Sequence, residues 1–314
     1  MSSPSPFSEE TLQLQVWDDL APARPAPRGS VERDEGYWRT PDRQELYWQA
    51  WFDPNRPTRA TVALMHGYGE HSSRYDHVAV GLVRAGFQVI AIDARGHGRS
   101  TGQRGQINRF SRYVDDLSEL KRRALSRWPD HPLFILGHSN GGLIALQYAL
   151  RQPDGVQGFV VSSPMLGLAV EVPAAKEVAG RLASRLFPTL SLPSGLTGEM
   201  VSHLPEVIQH YDEDPLNFDV ANTRWFTESQ KAIDDLMTRA PALKQPFLFL
   251  IAGSDPVVDP EASQKLFHRL GSRDREMEVF EELRHEILNE AHWKEILRQA
   301  ILWMDQRCPR EEQP

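Results

Sequence analysis

Leu133-Phe134-Ile135-Leu136-Gly137-His138-Ser139-Asn140-Gly141-Gly142-Leu143-Ile144-Ala145-Leu146-Gln147-Tyr148 is the stretch that decides the fold. It opens on a short apolar run of the kind that forms a strand buried on both faces. From Gly142 onward the residues suit a helix. Between the two stands a serine with a glycine two positions to either side. A turn this sharp between strand and helix strains the serine backbone, and the glycines give it room. The helix N-terminus then aims its N–H groups at whatever is bonded to Ser139. A nucleophilic serine is the reading; a purely structural turn is the plainer alternative.

Working outward, the same kind of run recurs at 61–65, 88–92, 158–161, 247–251 and 277–280. Helical patterns lie between them, at about 74–85, 109–128, 140–151, 260–270 and 290–306. Two earlier strands, over 35–40 and 45–52, flank the turn sequence Pro41-Asp42-Arg43. Strand–helix alternation predicts an α/β protein with an eight-stranded, mostly parallel sheet flanked by helices. One interval breaks the rhythm. Pro164 to Pro246 is far longer than the other crossovers, and it carries Leu182, Leu186, Phe187, Leu190, Leu192, Leu196 and Met200. A helix is predicted over 222–240, with Trp225, Ser229, Ile233 and Leu236 on one face. So long an insertion between core strands six and seven reads as a helical cap over a site. The domain organisation expected is a flexible proline-rich tail over 1–30, with docking of Leu12, Leu14, Val16 and Trp17 as the alternative, a core over 31–165 and 245–308, and a cap over 166–244. The last residues, 309–314, read as a frayed end.

Bulk properties narrow the class. The chain has 314 residues, 40% of them hydrophobic and 25% charged, with a net charge of −8. An acidic balance argues against nucleic acid as a partner. Cys308 is the one cysteine, which provides neither an internal disulfide nor a zinc cluster. No apolar run approaches a bilayer span, and no signal peptide is visible, so a cytoplasmic protein is expected.

A serine hydroxyl needs a base, and the base needs an orienting acid. On an α/β sheet both are expected in loops at the C-terminal ends of later strands. Asp255 stands there in Gly253-Ser254-Asp255-Pro256, after the run at 247–251. Asp259 is the rival, although its place before Pro260 suits a helix N-terminus. His285 follows the last strand by a short loop, whereas His292 falls in the final helical stretch. The order Ser139, Asp255, His285 is the chain order expected of this fold. His285-Glu286-Ile287-Leu288-Asn289 lacks a second histidine four residues on, so zinc is rejected. No metal and no cofactor are expected. An acyl-transfer site also needs two aimed N–H donors for the oxyanion. Asn140, directly after the nucleophile, and Tyr68, in His66-Gly67-Tyr68-Gly69 after the run at 61–65, are the candidates. A plain glycine-rich turn is the alternative for Tyr68.

These residues resemble the α/β-hydrolase superfamily, and more narrowly its monoacylglycerol lipase and lysophospholipase group. The narrow resemblance rests on His66-Gly67-Tyr68-Gly69-Glu70-His71-Ser72-Ser73-Arg74-Tyr75, on Asp93-Ala94-Arg95-Gly96-His97-Gly98-Arg99-Ser100 and on the elbow with Gly142. Gly253-Ser254-Asp255, His285-Glu286-Ile287-Leu288-Asn289-Glu290 and, in the cap, Tyr211 with Asp214-Pro215-Leu216 belong to it too. It implies a Ser–His–Asp esterase acting on a small lipid ester through a mobile cap and an apolar acyl tunnel. The resemblance places Glu70 and Arg74 near the polar head-group end; a structural pair bracing the oxyanion loop is the equal alternative. Asn140 stands where the group commonly has methionine, and Leu288 where animal monoglyceride lipases have a histidine. Monoacylglycerol, lysophospholipid and short-chain esters all stay open as substrates, with a peptidase or a binding protein as rivals from other classes. Leu190 and Leu192 are expected to line the acyl site. Peripheral membrane contact through the cap and the oligomeric state are left open.

Overall fold

The computed structural model describes residues 17–169, 180 and 182–308. Its strands are β1 (Glu32–Arg39), β2 (Glu45–Phe52), β3 (Ala60–Met65), β4 (Phe87–Ile92), β5 (Leu133–His138), β6 (Gly158–Ser162), β7 (Ser191–Pro193), β8 (Val220–Asn222), β9 (Phe247–Ala252) and β10 (Arg275–Phe280). Eight of them form one sheet in the order β1-β2-β4-β3-β5-β6-β9-β10. β1 pairs antiparallel with β2, and β2 with β4; the other pairs are parallel. The expected eight-stranded, mostly parallel sheet is the one observed.

The strands β3, β4, β5, β6 and β9 are buried along their whole length because helices cover both faces of the sheet. Val62, Leu64, Val89 and Leu136 pack into one cluster with the helices Asp76–Arg84 and Trp293–Asp305. Ala63, Met65, Ile90 and Ile135 point the other way, against Ser111–Arg127 and Asn140–Arg151. Alternation of side chains about a strand sorts neighbours into these two layers.

Two expectations need correction. The tail over 1–30 does not hold from residue 17 onward, while residues 1–16 lie outside the described residues. Trp17 is fully buried, its Nε1 donating to Gly81 O at 3.2 Å, and it packs beside Trp293. Gly81 makes room for the last helix: a Cβ there would stand 2.8 Å from Leu297 Cδ2, and 3.6 Å from Trp17 Nε1. Ala26 N–H is also held, by Asp76 Oδ2 at 2.9 Å. Burying a large apolar side chain contributes roughly 1.5–3 kcal/mol, enough to dock a proline-rich segment that has no periodicity of its own. The frayed end over 309–314 also lies outside the described residues. The second correction concerns the cap, which is not wholly helical. β7 and β8 pair antiparallel within it, Ser191 opposite Asn222. Asn222 then caps the helix Thr223–Arg239, its side chain accepting from Arg224 N–H and Trp225 N–H.

Register brings the site to one edge. Met65 lies opposite Gly137, His138 opposite Ser162, and Ala252 opposite Phe280. The loops after β3, β5, β9 and β10 therefore leave the sheet at its C-terminal edge, beneath the cap.

Candidate active site

Ser139 sits at the turn between β5 and the helix Asn140–Arg151 with φ +52° and ψ −117°. Few non-glycine residues adopt that backbone, and holding it costs about 1–3 kcal/mol. The surroundings over-determine it: Ser139 N–H donates to Ser162 O at 2.9 Å, and Ser139 O accepts from Leu143 and Met165 N–H. The flanking glycines are required by contact. A Cβ on Gly137 would lie 2.4 Å from Gly141 O, and one on Gly141 2.2 Å from Met65 O. The turn can pack this tightly only without those side chains.

Asp255 and His285 meet across the ends of β9 and β10, with His285 Nδ1 2.7 Å from Asp255 Oδ2. The other oxygen, Oδ1, accepts from Val257 and Val258 N–H at 2.8 and 3.0 Å. Burial alone raises a carboxyl pKa, yet the facing His285 and these hydrogen bonds hold Asp255 below its usual range. An ionised carboxylate only accepts, so Nδ1 carries the proton and the lone pair is left on Nε2. Burial works to lower the His285 pKa, and the Asp255 charge overrides it to leave it raised. His138 stacks beside His285 with ring centroids 4.7 Å apart. Burial, then the neighbouring His285, pushes the His138 pKa down to about 3, so it stays neutral beside the base.

Ser139 and His285 both line a cavity of about 290 Å³. Met165, Leu168, Leu196, Met200, Trp225 and Phe226 give it an apolar wall; Glu70, Tyr211 and Glu286 give it polar groups. Leu190 and Leu192 do not line it as expected. Both are exposed, with Leu182, Leu186 and Phe187. Leu196 and Met200 supply that lining instead.

Tyr68 lines the same cavity, and Asn140 is the first residue of its helix, where an N–H has no intrahelical acceptor. Their side chains both meet β8 itself or the segment that follows it. Trp225 stacks on Tyr68 with centroids 3.6 Å apart, and its Nε1 lies 3.4 Å from Asn140 Oδ1. Tyr68 Oη donates to Gly105 O and accepts from Asn222 N–H, both at 3.1 Å.

Glu70 and Arg74 are paired and buried. Glu70 Oε1 accepts from Gly67 N–H at 2.6 Å and Tyr75 Oη at 2.7 Å, and Oε2 meets Arg74 at 2.9 Å. Arg74 also grips Glu286 with two bonds, 2.5 and 2.7 Å, and lies over the Tyr211 ring. This geometry favours a brace for the loop after β3, with Glu70 still reaching the cavity wall. Glu286, read in the sequence only as part of a rejected metal pattern, is the unforeseen member. Glu70, His138 and Glu286 lie close enough to face a cation together, but Arg74 already pairs with both carboxylates. Asp259 caps the helix Pro260–Arg269 by accepting from Glu261 N–H, which takes it out of contention as the acid. His292 precedes the last helix and is exposed.

Sheet order, strained elbow and histidine–carboxylate pair together define an α/β-hydrolase. The serine aminopeptidase S33 profile matches residues 56–292, and the chain belongs to that family. It is 33% identical to phospholipase YtpA of Bacillus subtilis, over 80% of this chain and 97% of that protein. It is likewise 33% identical to a monoacylglycerol lipase of Mycolicibacterium smegmatis, over 80% of this chain and 90% of the lipase. The crystal structure of Paleococcus ferrophilus monoacylglycerol lipase superposes with a TM-score of 0.74 at 32% identity, covering 83% of this chain and 99% of that one. The chain spans 28% of the length of an uncharacterized abhydrolase domain-containing protein of Dictyostelium discoideum, to which it is 32% identical. Within the family the chain is a monoacylglycerol lipase-like ester hydrolase.

Proposed function

We propose that the protein is a serine carboxylester hydrolase that cleaves lipid-like monoesters, monoacylglycerol above all, through an acyl-enzyme. The observation that carries this reading is the Asp255–His285 pair at 2.7 Å, opening onto a cavity that also holds the strained Ser139 and an apolar wall. His285 Nε2 takes the proton from Ser139 Oγ as the serine attacks the ester carbonyl, while Asp255 orients the ring and stabilises its charged form. The N–H groups of Tyr68 and Asn140 receive the oxyanion. The protonated His285 gives its proton to the leaving alcohol. Water then attacks the acyl-enzyme with His285 again as base.

Glu70, Tyr211 and Glu286 offer the polar end of the cavity to a small head group. The test pairs 1-monoacylglycerol with lysophosphatidylcholine of the same acyl chain, and adds an aminoacyl anilide as the peptidase substrate. Turnover of the monoacylglycerol well above both others is expected. Faster cleavage of the lysophospholipid would move the reading to a phospholipase with a charge-tolerant entrance. Anilide cleavage without esterase activity would overturn it.

A specific observation favours membrane contact by the cap: Leu182, Leu186, Phe187 and Leu192 are each more than half exposed. None of the helices among the described residues is long and apolar enough to cross a membrane. Large apolar side chains exposed within one short stretch of chain suit a lipid surface. Leu186→Asp together with Phe187→Asp should lower co-sedimentation with phosphatidylcholine vesicles while sparing hydrolysis of a short soluble ester. Unchanged sedimentation removes the cap from the membrane contact.

A further inference from the structure

The cap is bound to both candidate oxyanion donors through one short segment. Phe218 N–H donates to Gly69 O at 3.0 Å, and Asn222 N–H to Tyr68 Oη at 3.1 Å. Asn222 also caps the helix that begins at Thr223, fixing the first turn in which Trp225 stands. From there the indole covers the Tyr68 ring at 3.6 Å, nearly parallel at 21°, and its Nε1 reaches Asn140 Oδ1. Tyr68 and Asn140 come from loops after different strands, β3 and β5, and share Trp225 as a common contact. All three side chains are at least nine-tenths buried, so water does not compete for these contacts.

We infer that Trp225 is a positioning residue for the oxyanion donors, so that cap and oxyanion hole act as one unit. The inference rests on the oxyanion assignment proposed above. A donor contributes fully only when it is aimed at the tetrahedral oxygen before the reaction begins. The Tyr68 backbone cannot tilt without sliding its ring against the indole, and the Asn140 side chain cannot swing without leaving the indole N–H. Because Trp225 also lines the cavity, an acyl chain lying there touches the same ring. The donors it aims meet negative charge only in the transition state, so its removal should appear in kcat more than in KM.

The experiment measures kcat and KM on one long-chain monoester for Trp225→Phe, Trp225→Leu, Asn140→Leu and the pair Trp225→Phe with Asn140→Leu. Alongside these, inhibition by an alkyl boronic acid, which forms a tetrahedral adduct on the serine, reports the oxyanion hole directly. Trp225→Leu loses both contacts and should lower kcat by roughly 10- to 100-fold, short of the full loss of a donor. KM should move less than about threefold. Boronic-acid affinity should fall in step with kcat. Trp225→Phe retains a stacking ring and loses only the N–H, so a smaller fall is expected. That fall should not add to the fall in Asn140→Leu, because both remove the same contact. Should Trp225→Leu not fold, the phenylalanine variant and Asn140→Leu carry the test. A raised KM with unchanged kcat would make Trp225 a mere wall of the cavity and overturn the inference. So would a fall in kcat with unaltered boronic-acid affinity. Labelling of the unaltered enzyme by a fluorophosphonate, lost in Ser139→Ala, separates the two levels. Without labelling the nucleophile assignment fails; with labelling but no kcat effect only the Trp225 role fails.

Discussion

Ser139→Ala should lower kcat by about 10⁴-fold or more while leaving the circular dichroism spectrum and the melting temperature close to those of the unaltered protein. The magnitude follows from what is removed: the nucleophile goes, and the oxyanion donors and cavity remain to give only weak residual acceleration. The structure explains why the fold should survive. Ser139 is held through its backbone, by Ser162 O, Leu143 N–H and Met165 N–H, and alanine keeps all three contacts. Activity of the unaltered enzyme should rise with pH as His285 loses its proton, because only the neutral ring can accept from the serine. Its raised pKa puts that rise above the range of a free histidine. Fluorophosphonate labelling and single-turnover kinetics check the variant. Retention of more than a tenth of kcat would dismiss Ser139 as the nucleophile.

Arg74→Met should have the largest effect on stability. Arg74 is the cation between two buried carboxylates, Glu70 and Glu286, and methionine of similar length would leave both without a counter-charge. Removing one partner of a buried ion pair costs about 3–5 kcal/mol, which for a domain of this size lowers the melting temperature by on the order of 10 °C. Burial would raise the Glu70 pKa, but Arg74, with smaller help from His138, His66 and the Gly67 N–H, holds it down at about 2. The sign of the pH dependence follows. A carboxyl whose pKa is depressed on folding stabilises above its unfolded value near 4.3, and the contribution fades as pH falls from there toward 2. In Arg74→Met the Glu70 carboxyl, buried without that charge, instead resists ionisation, so the deficit should be greatest at neutral pH and shrink on acidification. Melting curves at pH 7.5 and pH 5 test this. A melting temperature unchanged at pH 7.5 would show that the pair braces nothing. Because Glu70 also holds Gly67 N–H, directly before Tyr68, loss of activity should accompany the loss of stability.

The placement of the candidate groups was legible from residue order, since each falls at a strand end and strand ends are visible as the limits of apolar runs. The helix Asn140–Arg151 and the strand Glu45–Phe52 lie where periodicity put them. Asp255 could be preferred to Asp259 because one ends a strand and the other begins a helix. Contacts between distant segments left no such mark. Trp17 has no periodic neighbours, and its partners, Gly81 O and the Trp293 ring, come from distant elements. Three-residue strands such as β7 and β8 are too short to show alternation. Trp225 was visible as one residue of an apolar helix face, but nothing in its spacing says that the face meets Tyr68 and Asn140. Glu286 follows the catalytic histidine candidate directly, and its role appears only once Arg74 is brought against it.

The pairing of β6 with β9, Phe159 opposite Phe247, has a consequence for how the chain assembles and changes over time. The sheet cannot close there until the chain has run out through the whole cap and returned. Loop-closure entropy grows only logarithmically, so doubling such an excursion costs roughly 0.6 kcal/mol at equilibrium. The penalty falls instead on speed: contacts between residues so far apart form late, and refolding is slow compared with a domain of local contacts. Equilibrium tolerance combined with kinetic delay lets the excursion lengthen, shorten or be rewritten while the sheet beneath keeps its geometry. Substrate range can then drift through the cap alone, provided each new version still lands an aromatic ring on Tyr68.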